Sequence, residues 1–241
     1  NIVPPAKAAQ DGGADAVSLI NTINSIMRVD YDSLTMYPTT DGMGTHGGYC
    51  GEAVKPIALN MVAEIARHAE TRGLPISGIG GVTDWRDAVD FLALGASNVQ
   101  VCTAAMVYGF RIIEDLVDGL ATFLDDKGMT LEQLVGKAVP SVTDWQYLNL
   151  NYVEKAVIDQ DLCIMCGRCH VVCEDTSHQA ITSSVGGERR FEVIDDECVG
   201  CNLCVSVCPV EDCITMRQVS DDSAGKLNWT QHPNNPMRNT D

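Results

Sequence analysis

No stretch of this chain stays apolar for the roughly 18 residues that a membrane-crossing helix requires, although 45% of its residues are hydrophobic. No bilayer-spanning role is expected. Basic residues are scarce as well: 16 Lys and Arg stand against 33 Asp and Glu, a formal charge of -17. A nucleic-acid partner demands clustered cations against its phosphates, so that class is not expected either. The acidity suits docking against a basic protein face, or does no more than keep the chain soluble; charge alone leaves both open. The dinucleotide fingerprint is missing too. The run Gly78-Ile79-Gly80-Gly81 lacks the G-x-G-x-x-G register and an acidic residue at the right distance beyond it, which argues against direct nicotinamide binding. The opening Asn1-Ile2-Val3-Pro4-Pro5 has no initiator Met and no targeting character, and it leads at once into a helical stretch over 6–13. The sequence is expected to start inside a domain.

Cysteine, by contrast, is abundant. Eight of the eleven fall in two runs, Cys163, Cys166, Cys169, Cys173 and Cys198, Cys201, Cys204, Cys208, both spaced C-x2-C-x2-C-x3-C. This is the spacing of ferredoxins that carry two 4Fe-4S clusters. Three thiolates two residues apart in a tight loop cap three irons of one cubane, while the fourth points away to the other cluster. One cluster is thus expected on Cys163, Cys166, Cys169 and Cys208, and the other on Cys198, Cys201, Cys204 and Cys173. Pro209 follows the last ligand, as that signature requires, whereas Glu174 stands at the matching place in the first run and leaves its ligands intact. Zinc sites and disulfide frameworks also use paired C-x2-C units. Structural zinc needs four thiolates per ion and gains nothing from the further steps repeated twice, and disulfide scaffolds belong to small secreted domains. Cys50, Cys102 and Cys213 lie outside the pattern and are expected as reduced thiols, in keeping with a cytoplasmic location.

Along residues 6–107, apolar runs at 14–20, 75–79 and 98–102 alternate with helical stretches at 57–72 and 84–94, the pattern of βα units around a parallel sheet. The first of those helices follows a proline and the second is opened by Thr83 or Asp84 as a cap. Further helices are expected over 110–124 and from Thr130, whose partner Gln133 completes a capping box. Residues 140–155 read as a connector, with Trp145 and Tyr147 available to pack it down. Val157-Ile158-Asp159 begins the ferredoxin unit, with a hairpin strand over 188–194 between its Cys runs. The tail beyond Val219, rich in Asn, Pro and Asp, reads as an exposed or partner-facing extension.

Three strand ends carry residues suited to a flavin mononucleotide (FMN) phosphate and an aromatic substrate. Asn21 and Thr22 place an amide and a hydroxyl where a parallel strand stops, the functional face of a (β/α)8 barrel. Ile79, Gly80 and Gly81 offer backbone N–H groups without side chains in the way. Cys102 and Thr103 end a strand before a helix, whose orphan N–H groups favour phosphate. A Gly-Gly after a strand is more often a simple turn, and Asn-Thr at a strand end is most often a cap; their order in the chain gives them weight together. So does the glycine-rich loop 47–51, where a backbone must pass close to something.

The segments INT (20–22), GGYCGEAVKPIAL (47–59), GIGG (78–81) and GASNVQVCTA (95–104), followed by a two-cluster ferredoxin, resemble the dihydropyrimidine dehydrogenases, in particular catalytic subunits of the bacterial NAD-dependent kind. The resemblance covers almost the whole chain. The barrel motifs alone are shared with dihydroorotate dehydrogenases, and the fused double cluster narrows the match. It implies the C-terminal part of a dihydroorotate dehydrogenase-like (β/α)8 TIM barrel, an α/β unit over 1–139, then the connector 140–155, an α+β bacterial-type ferredoxin domain over 156–219 and the tail 220–241.

By the same resemblance, Asn21 and Thr22 hydrogen-bond the pyrimidine, while Gly51, Ile79, Gly80, Gly81, Cys102 and Thr103 hold FMN, chiefly its phosphate. Electrons pass from NADH through an FAD- and NAD(H)-binding reductase subunit, in a hetero-oligomer, and through the clusters to FMN. Hydride then goes to carbon 6 of uracil or thymine, and a cysteine on a mobile loop protonates carbon 5. That cysteine, its flanking asparagine and the flavin-contacting lysine match positions upstream of Asn1. No residue here is therefore assigned the acid's part, Cys50 and Cys102 included, and the chain alone is expected to be inactive. Two rivals remain: a dihydroorotate-type FMN enzyme with an appended ferredoxin, and an electron carrier without flavin.

Overall fold

The computed structural model describes residues 1–148, 153–176, 178–219 and Trp229. The chain divides into two compact units, Asn1–Val142 and Thr143–Asp241.

The first unit opens with α1 (Val3–Asp11). It starts earlier than the expected 6–13 because Pro4 and Pro5 occupy its first turn, where a missing N–H is no loss. Strand β1 (Val17–Leu19) follows, and then an antiparallel excursion whose last strand takes up part of the expected glycine-rich loop 47–51. Strands β2 (Ile23–Ser25) and β3 (Arg28–Val29) run out, β4 (Met36–Tyr37) and β5 (Gly47–Tyr49) return, and the pairs are β3 with β4 and β2 with β5. Helix α2 (Lys55–Arg67) also begins ahead of its expected start, with Pro56 in the first turn. It stops at Arg67 because His68 is extended, and Thr71 then turns the chain by donating its hydroxyl to the Ile65 carbonyl at 2.7 Å.

Strand β6 (Ile76–Ile79), helix α3 (Trp85–Ala93) and strand β7 (Asn98–Gln100) complete a three-stranded parallel sheet in the order β1-β6-β7. Asp84 is the cap of α3, and Asp87 closes the capping box. The sheet face carrying Ile76 packs on a core in which Val62, Ile65 and Phe91 are almost fully buried. Its other face is polar: Gln100 Nε2 donates to Ser18 Oγ at 2.8 Å and to Ser77 Oγ at 2.7 Å. Helices α4 (Thr103–Tyr108), α5 (Ile112–Lys127) and α6 (Leu131–Leu134) follow, the last with the expected Thr130–Gln133 box. Among the described residues the outer edges of β1 and β7 have no partner strand.

In the second unit β8 (Glu154–Ile158) begins a half whose cysteine loop leads into α7 (Arg168–Thr176). A two-residue hairpin, β9 (Ser184–Val185) and β10 (Glu188–Arg189), precedes the second cysteine loop and α8 (Leu203–Val207). Strand β11 (Ile214–Gln218) then pairs antiparallel with β8, Ile214 opposite Ile158. The strand expected over 188–194 stops at Arg189; Phe191 turns into the core, and pairing resumes at Val193 against Ile181. Glu174 lets α7 run to Thr176, whereas Pro209 limits α8 to five residues, since a residue preceding proline is pushed out of the helical region. Trp145 and Tyr147 do not pack the connector down: they are 61% and 55% exposed, though Trp145 lies 6.4 Å from the Trp229 ring. Residues 149–152 of the connector and, apart from Trp229, the tail 220–241 lie outside the described residues.

Candidate functional site

Parallel pairing aligns the ends of β1, β6 and β7, and Ile20 N–H donates to the Ile79 carbonyl at 2.7 Å just beyond them. Asn21 and Thr22 leave β1 at this edge. Gly80 and Gly81 leave β6, and Cys102 and Thr103 leave β7. Together with Ile79 and with Gly51, which precedes α2, all eight line one cavity of about 310 Å³. Gly51 and Gly81 abut. A Cβ on Gly81 would stand 2.8 Å from the Gly51 carbonyl oxygen and 2.9 Å from Lys55 Cβ, and φ of +78° at Gly81 is itself a glycine conformation. The two turns thus form a backbone wall that no side chain could share.

The helix after Cys102 has six residues, so its dipole is small and its orphan N–H groups are what it offers an anion. Glu52 is the charged side chain on the cavity; neither Lys nor Arg lines it. Met106, Val107 and Tyr108 of α4 also line it, and Met106 and Val107 lie three and four residues beyond Thr103, the spacing of neighbours on one helix face.

Behind the wall, Lys55 joins α2 to α3. Its ammonium meets Asp87 Oδ1 and lies 2.8 Å from Asp90 Oδ2. The other Asp87 oxygen accepts from Thr83 N at 2.7 Å, Thr83 Oγ1 at 2.7 Å and Asp84 N at 3.0 Å. Burial alone would lower the Lys55 pKa, but hydrogen bonds and charges from Asp87 and Asp90 outweigh it and hold the ammonium above its ordinary value. Burial likewise opposes the Asp87 carboxylate, yet the Lys55 and Thr83 bonds hold its pKa below the usual range.

The cysteines of the second unit separate by space and not by run. Cys163, Cys166 and Cys169 share a cavity with Cys208, walled by Ile158, Phe191 and Cys213. Cys198, Cys201 and Cys204 share another with Cys173, beside Ala156, Ile181 and Met216. Cys169 and Cys173 lie four apart on α7, so one helix face serves both cavities a turn apart. Among the described residues no three His, Cys, Asp or Glu side chains gather tightly enough for a single metal ion.

Arg189 pins the first cysteine loop through Met165 O at 3.1 Å, and Lys155 pins the second through the carbonyls of Asp195 and Cys198. Burial raises the Cys169 pKa and pushes Cys204 up to about 11. Burial, followed by its neighbours Cys208 and Cys163, raises Cys213 to about 12; its thiol lies 3.7 Å from the Asp159 carbonyl, on the wall of the first set's cavity.

The dihydroorotate dehydrogenase family matches residues 1–124, more than half of the 241. This chain belongs to that family. A 4Fe-4S dicluster domain matches residues 156–216. The chain is 41% identical over 229 residues to the NAD-dependent dihydropyrimidine dehydrogenase subunit PreA of Escherichia coli, covering 95% of this chain and 54% of that protein. It is 39% identical over 134 residues to the catalytic subunit of dihydroorotate dehydrogenase B (NAD(+)) of Thermococcus kodakarensis, covering 55% of this chain and 41% of that one. The chloroplastic dihydropyrimidine dehydrogenase (NADP(+)) of Arabidopsis thaliana is 37% identical over 149 residues, 59% of this chain and 34% of that protein. The chain thus spans about half the length, or less, of these curated relatives. No helix among the described residues is long and apolar enough to cross a membrane.

Proposed function

We propose that this chain is the C-terminal part of the barrel, with the attached two-cluster domain, of an enzyme that reduces uracil or thymine to the 5,6-dihydropyrimidine in pyrimidine degradation. The observation that carries this reading is the meeting of eight residues from separate strand ends on one cavity. FMN fits it. The glycine turns line the cavity with main chain and no side chain of their own, which suits a phosphate, and Asn21 and Thr22 line it with an amide and a hydroxyl for a ring with alternating donors and acceptors. When bound, FMN supplies the conversion of single electrons into hydride.

The chain's own residues then bind and orient. N–H groups at Gly80, Gly81, Cys102 and Thr103 would take the phosphate. Asn21 can donate and accept, and Thr22 can do either, so together they select one edge of the pyrimidine. Met106 and Tyr108, exposed in this structure, would offer apolar surface to the bound flavin. Each four-cysteine set would hold one 4Fe-4S cluster in the crossed arrangement, a reading supported by the two shared cavities and by the match to a 4Fe-4S dicluster domain. Electrons would reach the clusters from an FAD- and NADH-binding partner subunit in the cytoplasm, a reading supported by the relative from Escherichia coli, which is a subunit of an NAD-dependent enzyme.

The relative from Thermococcus kodakarensis favours the dihydroorotate reading for the first unit, but that match covers 55% of the chain, whereas the match to PreA runs through both units. Cofactor analysis of the complete gene product is the test. FMN with iron and sulfide for two clusters is expected. Iron and sulfide without flavin would favour the electron carrier.

A further inference from the structure

We infer that Lys55 is a positioning residue for the anionic end of the flavin site, acting through Asp87 and Asp90 without touching the ligand; the inference rests on the FMN reading above. Lys55 does not line the cavity. Its Cβ lies against Gly81, however, and its ammonium meets two carboxylates of α3. One of them, Asp87, holds the far end of the Gly80–Gly81 turn by accepting from Thr83 N, Thr83 Oγ1 and Asp84 N. The Lys55–Asp87 pair therefore ties the Gly51 side of the wall, next to α2, to the Gly81 side, carried by the loop into α3.

Charge here bears on an anion more than on a neutral ligand. No cation lines the cavity, and Glu52 already does. With Lys55 gone, Asp87 and Asp90 would lie behind the phosphate-binding loop as uncompensated negative charges, and a phosphate dianion would feel them far more than a neutral ligand would. Lys55 would thus set both the spacing of the two turns and the local potential.

The test compares FMN with riboflavin, which lacks the phosphate, by quenching of flavin fluorescence on the complete, flavin-depleted gene product. Wild type is expected to bind FMN the more tightly. Lys55→Met is expected to lose about tenfold in FMN affinity, the equivalent of one hydrogen bond of ordinary net strength, with riboflavin affinity and cluster absorbance unchanged. Lys55→Arg should restore most of the loss, and adding Asp90→Asn to Lys55→Met should restore part of it. An equal loss for both flavins, or no recovery with Asp90→Asn, would overturn the inference and leave Lys55 a purely structural tie. Failure of the wild type to prefer FMN would instead overturn the flavin-site reading itself.

Discussion

Gly48 lies against Thr22: a Cβ on the glycine would stand 2.5 Å from Thr22 Oγ1 and 2.7 Å from its Cβ. The hydroxyl proposed to meet the substrate therefore has its position set by the strand that pairs with β2. Gly48→Ala is expected to push Thr22 aside and weaken pyrimidine binding by roughly 1–3 kcal/mol, the range for a lost buried polar contact. FMN and iron content should not change. Calorimetric titration of the oxidised complete enzyme with uracil checks this, and an unaltered affinity would remove Thr22 from the site.

The crossed cysteine sets lead to an unequal pair of losses. Cys208→Ser should remove the cluster held with Cys163, Cys166 and Cys169, and Cys173→Ser the one held with Cys198, Cys201 and Cys204. Electron paramagnetic resonance of the reduced variants should show a different surviving signal in each. Cys208→Ser should then give the same surviving signal as Cys163→Ser; a match with Cys201→Ser instead would mean the sets follow the runs.

The Lys55–Asp87 pair makes stability depend on pH in a direction that can be worked out. Asp87 sits below its ordinary value of 3.8, so its contribution is complete above that value and fades as pH falls through the folded pKa. Lys55 sits above 10.5, so its contribution is complete below that value and fades as pH rises through the folded pKa. Asp87→Asn should therefore cost about 2 kcal/mol at neutral pH, less than a fully buried pair because solvent reaches it. Urea unfolding across a pH series should show that cost shrinking in acid. A cost that grew as pH fell would contradict the assignment.

Gly119 sits in the middle of α5, where alanine would ordinarily improve helix stability by about 1 kcal/mol. Here a Cβ would come within 2.3 Å of Trp85 Cδ1, and Trp85 also meets Phe123 at 5.6 Å. Overpacking costs typically 1–3 kcal/mol, so Gly119→Ala should lower the thermal midpoint. A raised midpoint would show that the indole moves aside freely.

The parts legible in the sequence are those whose chemistry is local. Cluster spacing is written within eleven residues of each run, and the capping boxes at Asp84 and Thr130 within four. The strand ends stand out for the same reason, as short motifs at the close of apolar runs. What escaped depends on distant partners. Gly47–Tyr49 shows no strand preference of its own and becomes β5 only because β2, over twenty positions earlier, pairs with it. Lys55 and Asp87 are 32 residues apart and meet only after α2 and α3 dock. Met106 and Tyr108 sit on a helix too short for its periodicity to show. The early starts of α1 and α2 come from prolines that end most helices yet are at home in a first turn.

The most direct measurement is anaerobic. The flavin of the complete gene product is reduced and mixed with uracil in one syringe and with orotate in another, and its absorbance is followed. Rapid reoxidation by uracil and none by orotate is the expected result. Reoxidation by orotate alone would contradict the pyrimidine-degrading function and leave a dihydroorotate-type enzyme with an appended ferredoxin.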